Sequence, residues 1–144
     1  ARTKGGDPNS YQSPDHVNQL DWERKGEFLG LFEYTKKLIE LRKARPAFRM
    51  RRGAEVREQL QFLKMPYANM VGYVLGPHAN GDSYETILVF FNSNPAPIEV
   101  TIQAGKWDIL VNSQGVGNLG LLTGSKAWVE GLSPLILARK EAHQ

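Results

Sequence analysis

The sequence predicts a mainly β protein, with a C-terminal antiparallel β-sandwich of the Greek-key type that follows a polar loop and one long helix. After residue 48, about seven short apolar segments are separated by turn residues every 8–12 positions, as in sandwich domains. Before it, apolar residues recur at helical spacing over 27–44. The first 22 residues are rich in Gly, Pro, Ser, Asn and Asp, which is typical of loops.

The opening loop predicts one short helical turn over 14–19. Ser13 is a favoured N-cap residue, and Pro14 suits the first helical position. Asp21 is placed to cap the next turn. No initiator Met precedes the loop, and we interpret the chain as part of a longer protein.

Residues 27–44 predict an amphipathic helix with a broad apolar face. Pro46 ends this helix, because the residue before a proline resists the helical conformation. A single helix with such a face needs other surfaces to pack against. We expect the β-rich remainder to cover part of the face and a missing partner to cover the other part. The residues at helical spacing are Leu31, Thr35, Leu38, Ile39 and Arg42, and this face is widened by Phe28, Phe32, Tyr34 and Leu41.

The β-rich part contains alternating apolar segments separated by Gly, Pro and Asn turns. A helical turn over 53–58 precedes them. The organisation therefore predicts a first region over 1–47 and an all-β domain over 48–144. The predicted strands are 59–64, 70–75, 85–91, 98–103, 107–111, 127–130 and 135–138.

Composition narrows the class of protein. The chain has 144 residues, 41% hydrophobic and 10% aromatic, as in a globular domain with an added element. Its formal net charge of +3 is a weak argument for nucleic acid. No apolar run reaches the roughly 18 residues of a membrane span, so we expect no membrane partner. The chain has no cysteine, which excludes disulfides and is compatible with a secreted or a cytoplasmic bacterial protein.

Two segments carry a family resemblance. Gly-Asp-Pro-Asn-Ser-Tyr-Gln-Ser-Pro-Asp at 6–15, followed by Val-Asn-Gln-Leu-Asp-Trp at 17–22, resembles the loop after the eighth barrel strand of type I pullulanases. These are starch-debranching enzymes of the α-amylase superfamily, glycoside hydrolase family 13. Residues 38–49 are similar to the closing helix of the catalytic (β/α)8 barrel in that superfamily, where a β-sandwich follows. The resemblance implies that 1–47 is the last barrel loop and helix, and 48–144 the C-terminal sandwich.

The resemblance also implies an activity. Pullulanases are retaining glycosidases that cleave α-1,6-glucosidic branch linkages in pullulan, amylopectin and limit dextrins. Such chemistry needs two carboxyl groups about 5–5.5 Å apart, and in the family these lie upstream of the loop that opens this chain. We therefore expect no catalytic residue here and no hydrolysis by the isolated chain. The implied partners are the upstream barrel, possibly a separate chain, and an α-glucan. No cofactor is implied for this segment, although calcium is compatible with full-length members.

Candidate substrate-binding residues lie in the opening loop. Barrel enzymes bind substrate on such loops, and sugars are held by polar side chains and aromatic faces. Asn9 and Tyr11 are the strongest candidates, followed by Asp7 and Arg2. The alternative is that these residues only brace the loop. The three aspartates of the segment, Asp7, Asp15 and Asp21, suit turn and helix-end positions better than a catalytic set.

The burial of the tryptophans distinguishes two hypotheses about function. We expect Trp22 to pack under the helix, and Trp107 and Trp128 to lie in the sandwich core. An exposed pair would instead indicate a glucan-binding surface, and with it the alternative function of an autonomous β-sandwich carbohydrate-binding or interaction module.

Neither the histidines nor the basic run predicts another function. The three histidines lack metal-ligand spacing, so no metal site is predicted. The basic residues between Glu40 and Glu55 lack the interleaved aromatics of a single-strand groove. They favour a solvated or barrel-facing charge cluster over nucleic acid.

Overall fold

The computed structural model describes residues 6–140. Short 3₁₀ turns lie at Ser10–Gln12, Pro46–Arg49 and Ala79–Gly81. The helices are α1 (Asp15–Asn18), α2 (Arg24–Glu27), α3 (Leu29–Ala44) and α4 (Gly53–Gln59). The strands are β1 (Leu60–Phe62), β2 (Met70–Leu75), β3 (Thr86–Asn92), β4 (Ile98–Asn112), β5 (Gly115–Val116), β6 (Leu121–Val129) and β7 (Ser133–Arg139).

Helix α3 ends at the predicted residue. Arg45 is extended, with φ −106° and ψ 106°, because Pro46 follows it. The predicted turn at 14–19 is the shorter helix α1, and Ser13 does not cap it. The Ser13 hydroxyl instead donates to Asp7 Oδ2 at 3.2 Å.

The strands confirm a mainly β, antiparallel architecture. They form one seven-stranded sheet in the order β1-β2-β3-β7-β4-β5, with β6 also paired to β4. The 15-residue strand β4 joins two segments that the sequence predicted as separate strands. Its pairing register with β6 shifts between Thr101 and Gly105. Gly105 has a φ of +152°, which a residue with a side chain rarely adopts, and this permits the irregularity.

The order of the strands in the sheet departs from their order in the sequence. β7 returns to lie beside β3 and also pairs with β4, so it separates two strands that follow each other in the sequence. The long strand β4 pairs with β6 between Ile98 and Asp108, with β7 between Asp108 and Val111, and with β5 at Val111 and Asn112. The Greek-key type of the sandwich stays a prediction.

Both halves of the sheet contribute to one hydrophobic core. Inward positions alternate along the strands, as Leu88 and Phe90 do on β3. The core therefore lies between the β2–β3 part of the sheet and the β4–β6 part, as in a sandwich. Its buried members are Met70, Leu88, Phe90, Ile98, Val100, Ile102, Trp107, Ala127, Val129, Leu135 and Leu137.

The segment between α3 and β1 is tied to the β domain by a buried carboxylate. The side chain of Asp82 has no exposed surface and forms an ion pair with Arg45 Nη1 at 3.2 Å. It also accepts hydrogen bonds from the backbone N–H groups of Ala47, at 3.3 Å, and Tyr84, at 3.1 Å. Because these bonds satisfy both oxygens, the charge is tolerated in the interior.

The described residues form two compact units that divide between Lys36 and Lys37. The dividing point lies within α3. The domain boundary predicted after residue 47 falls inside the second unit and stays a prediction. None of the helices described within residues 6–140 has the length and apolar character needed to cross a membrane.

Candidate functional site

The opening loop is braced by Asp7. Its Oδ1 accepts the backbone N–H of Asn9 at 2.8 Å, and its Oδ2 accepts the Ser13 hydroxyl. A carboxylate that bonds the backbone two residues ahead forms an Asx turn. Asp7 therefore holds the loop on both sides of Tyr11.

A second brace, which sequence reasoning missed, joins Ser10 to Asn18. The buried Ser10 hydroxyl donates to Asn18 Oδ1 at 2.8 Å, and the Asn18 amide donates back to the Ser10 carbonyl oxygen at 2.8 Å. The same amide also donates to the Ser13 carbonyl oxygen at 3.3 Å. The only signal for this brace in the sequence was an asparagine at the end of a predicted helical turn.

These braces leave two of the candidate sugar contacts open to solvent. Asn9 is exposed, and Tyr11 is 87% exposed. Arg2 lies outside the described residues. The loop thus presents an amide and an aromatic face, which are groups that can hydrogen-bond and stack on a sugar.

Asp15 begins α1, in the first helical turn predicted for it. Asp21 does not cap α2, whose N-cap residue is Glu23. Asp21 Oδ1 instead accepts the Glu23 backbone N–H at 3.1 Å in the turn before that helix. Within residues 6–140, no group of three or more His, Asp or Glu side chains is arranged to hold a metal ion.

The helical unit carries an apolar groove of about 340 Å³. Arg24 and Lys25 lie over two of its rings, Phe28 at 5.1 Å and Phe32 at 4.2 Å. Its lining includes Leu20, Trp22, Phe28, Leu31, Phe32 and Thr35. The prediction that Trp22 packs under the helix is wrong, because Trp22 is 76% exposed in this groove.

The two tryptophans of the β domain have opposite environments. Trp107 is buried, as predicted, and its indole N–H donates to the Gln103 carbonyl oxygen at 3.0 Å. The core position predicted for Trp128 is wrong, because 59% of this residue is exposed. Strand alternation explains the error: Ala127 and Val129 on either side of it point inward and are buried.

A polar cleft of about 820 Å³ lies at one end of the β domain. Arg139 pairs there with Glu85, with 3.3 Å between Nη2 and Oε2. Nearby, the Tyr84 hydroxyl donates to Asp108 Oδ2 at 2.9 Å. Burial, and then the hydrogen bond to Asp108, raise the pKa of Tyr84 above 10.0.

This architecture defines an all-β domain with a helical segment attached to its N-terminal side. The family model described as "Pullulanase, all-beta domain" matches residues 56–115. The chain belongs to the pullulanase family, as the resemblance in the opening loop and helix implied.

Individual relatives agree with this assignment. The chain is 40% identical, over 98 residues, to the pullulanase of Bacillus subtilis (strain 168), and the match covers 68% of the chain and 14% of that protein. The solved pullulanase from Bacillus acidopullulyticus matches with a TM-score of 0.87 at 38% identity, over 96% of this chain and 17% of its own.

A third match is the pullulanase from Paenibacillus barengoltzii, solved as a complex with maltohexaose and α-cyclodextrin. It has a TM-score of 0.85 at 38% identity, over 97% of this chain and 21% of its own. The chain therefore corresponds to a minor portion of these relatives.

Proposed function

We propose that this chain is the C-terminal portion of a retaining, pullulanase-like glycosidase that cleaves α-1,6 branch linkages in pullulan, amylopectin and limit dextrins. In this proposal α3 is the closing helix of the catalytic barrel, and the β domain follows it. The observation that carries the proposal is the match of nearly the whole chain to about a fifth of a solved pullulanase. The catalytic carboxylates belong to the remainder, so the chain alone is inactive.

The exposed apolar face of the helical unit supports a role for the upstream barrel as partner. Phe28 is 44% exposed, Leu31 68% and Trp22 76%. Side chains of this size favour removal from water, each by about 1.5–3 kcal/mol when fully buried. A barrel whose last helix is α3 would cover them.

The opening loop contributes to the substrate-binding rim in this proposal. Asn9 donates and accepts hydrogen bonds to glucose hydroxyls, and Tyr11 stacks on a sugar ring. Asp7 is the third proposed contact, and its bonds to Asn9 and Ser13 also brace the loop on both sides of Tyr11. Arg2 is the fourth proposed contact.

A chimeric enzyme tests the proposal. Residues 1–144 replace the corresponding segment of the Paenibacillus barengoltzii relative, and release of reducing ends from pullulan is measured. We expect hydrolysis by the chimera, and none by the same relative truncated before the segment or by the 144-residue chain alone. A folded but inactive chimera, or an active isolated chain, would contradict the proposal.

Variants of the active chimera test the loop. We expect Asn9→Ala and Tyr11→Ala to raise KM for pullulan several-fold, because each removes a direct sugar contact. Asn118→Ala, at an exposed position of the β domain, is the matched control and leaves KM unchanged. If both loop variants behave like this control, the loop is only a structural brace.

A further inference from the structure

Trp128 lines a groove that the proposed catalytic role does not use. The groove has a volume of about 680 Å³, within the range of ligand-binding clefts. Tyr67, which is 61% exposed, is a second aromatic residue in its lining. The remaining lining includes Pro66, Asn94, Pro95, Pro97 and Glu99. Two exposed rings in one groove make a surface on which a flat, partly apolar ligand can stack.

One buried side chain holds the Trp128 side of the groove. Asn92 is 2% exposed, and its amide donates to the carbonyl oxygens of Ala96 at 2.9 Å, Val129 at 3.1 Å and Glu130 at 3.2 Å. These bonds join the turn after β3 to the end of β6, next to Trp128. The backbone that carries Trp128 is thus held in place by the fold.

The Tyr67 side is tied to the same turn. The Ser93 N–H donates to the Asn69 carbonyl oxygen at 3.0 Å, and the Asn94 amide donates to the Ala68 carbonyl oxygen at 3.2 Å. Asn92 Oδ1 in turn accepts the Asn94 backbone N–H at 3.0 Å. Both aromatic walls therefore depend on one hydrogen-bonded turn, and a preformed groove lowers the entropic cost of binding.

The charges beside the groove favour a neutral, hydroxyl-rich ligand. Glu99 is the cross-strand partner of Trp128, and its Oε1 forms an ion pair with Lys126 Nζ at 2.7 Å. Because the carboxylate is already neutralised, it offers hydrogen-bond acceptors without a strong local charge. Hexose rings combine an apolar C–H face, which suits an indole, with hydroxyls that suit a carboxylate.

We propose that the Trp128–Tyr67 groove is a non-catalytic binding site for a linear chain of α-linked glucose. The class of sugar rests on the proposed function, whereas the site itself rests on the groove. Such a site would keep the polymer near the enzyme between cleavage events, since a second attachment raises the effective concentration of substrate.

Calorimetric titration of the 144-residue chain with maltohexaose tests this site. We expect binding by the wild-type chain, and a loss of affinity of at least about tenfold in Trp128→Ala, because stacking on an aromatic ring is removed. Tyr67→Ala should weaken binding less. Trp22→Ala removes an exposed indole outside the groove and is the matched control, with affinity unchanged.

The outcomes separate this site from the proposed catalytic role. A folded chain that does not bind maltohexaose, or a Trp128→Ala variant that binds like wild type, overturns the site. Equal affinity for cellohexaose, a β-linked chain, overturns the assignment to α-glucan. Pullulan hydrolysis by the chimera is a separate measurement, so either proposal can fail while the other holds. Circular dichroism of each variant confirms that it is folded.

Discussion

The two units of the chain differ in where they keep their apolar side chains. Among residues 6–36, Ser10 is the single buried residue, and the large apolar side chains of Leu29, Leu31 and Phe32 are exposed. The β domain buries residues from five strands in one cluster. The β domain therefore has a core of its own, whereas the helical unit exposes the kind of surface that a partner covers.

Replacement of one tryptophan in each unit tests this difference most directly, through the change in the free energy of unfolding. We expect Trp107→Ala to lower the free energy of unfolding by about 3–5 kcal/mol, because it leaves a large cavity and an unpaired Gln103 carbonyl group. Trp107 is 1% exposed and the largest fully buried side chain. Urea denaturation followed by circular dichroism measures the loss.

The matched variant in the helical unit is Trp22→Ala. Trp22 is 76% exposed, so its removal should change the free energy of unfolding by less than about 0.5 kcal/mol. A loss comparable with that of Trp107→Ala would show that the helical unit has a core of its own, and the contrast between the units would fail.

Removal of the buried carboxylate of Asp82 should cause the next largest loss of stability. We expect Asp82→Ala to cost about 2–3 kcal/mol, because the N–H groups of Ala47 and Tyr84 and the Arg45 guanidinium lose their acceptor. Chemical denaturation measures it. Glu27→Gln is the control: Glu27 pairs with Arg24 at 3.6 Å on the surface of the helical unit, and its loss should cost almost nothing.

Local sequence patterns predicted the helices and strands, because the formation of a helix or a strand depends on residues that are close in the sequence. Pro46 fixed the end of α3, and apolar segments bounded by turn residues located β2 and β7 closely. The pairing of distant strands was not predictable in this way. Nothing local indicates that β4 continues through Gly105 and pairs with three different strands, β5, β6 and β7.

In the candidate site, too, local features were predicted from the sequence and contacts between distant residues were not. The loop motif identified the family and placed Asp7 in a turn, where it is observed. It did not reveal the Ser10–Asn18 brace, because two polar residues eight positions apart give no periodic signal. Trp128 was assigned to the core from its residue type, whereas its exposure follows from the inward direction of Ala127 and Val129.

Glycine substitutions should have opposite signs in the two units. Gly131 lies against the carbonyl group of Pro95, and a Cβ there would collide with its oxygen. Gly131→Ala should therefore destabilise the β domain by about 1–2 kcal/mol. Gly30, inside α3, has no atom near its Cβ position, so Gly30→Ala should stabilise by about 0.5–1 kcal/mol. Thermal unfolding of both variants measures the signs. A neutral Gly131→Ala would show that the turn yields easily.

The smallest expected effect depends on pH and concerns Tyr84 of the β domain. Burial and the hydrogen bond to Asp108 raise its pKa above 10.0 in the folded protein. Its contribution to stability is thus complete below pH 10 and is lost as the pH rises through the folded pKa. Tyr84→Phe should cost about 1 kcal/mol at pH 8, through loss of the bond to Asp108. The difference from wild type should shrink above pH 10. A constant difference across that range in urea denaturation would contradict this, and Tyr11→Phe, at an 87% exposed residue, should match wild type at pH 8.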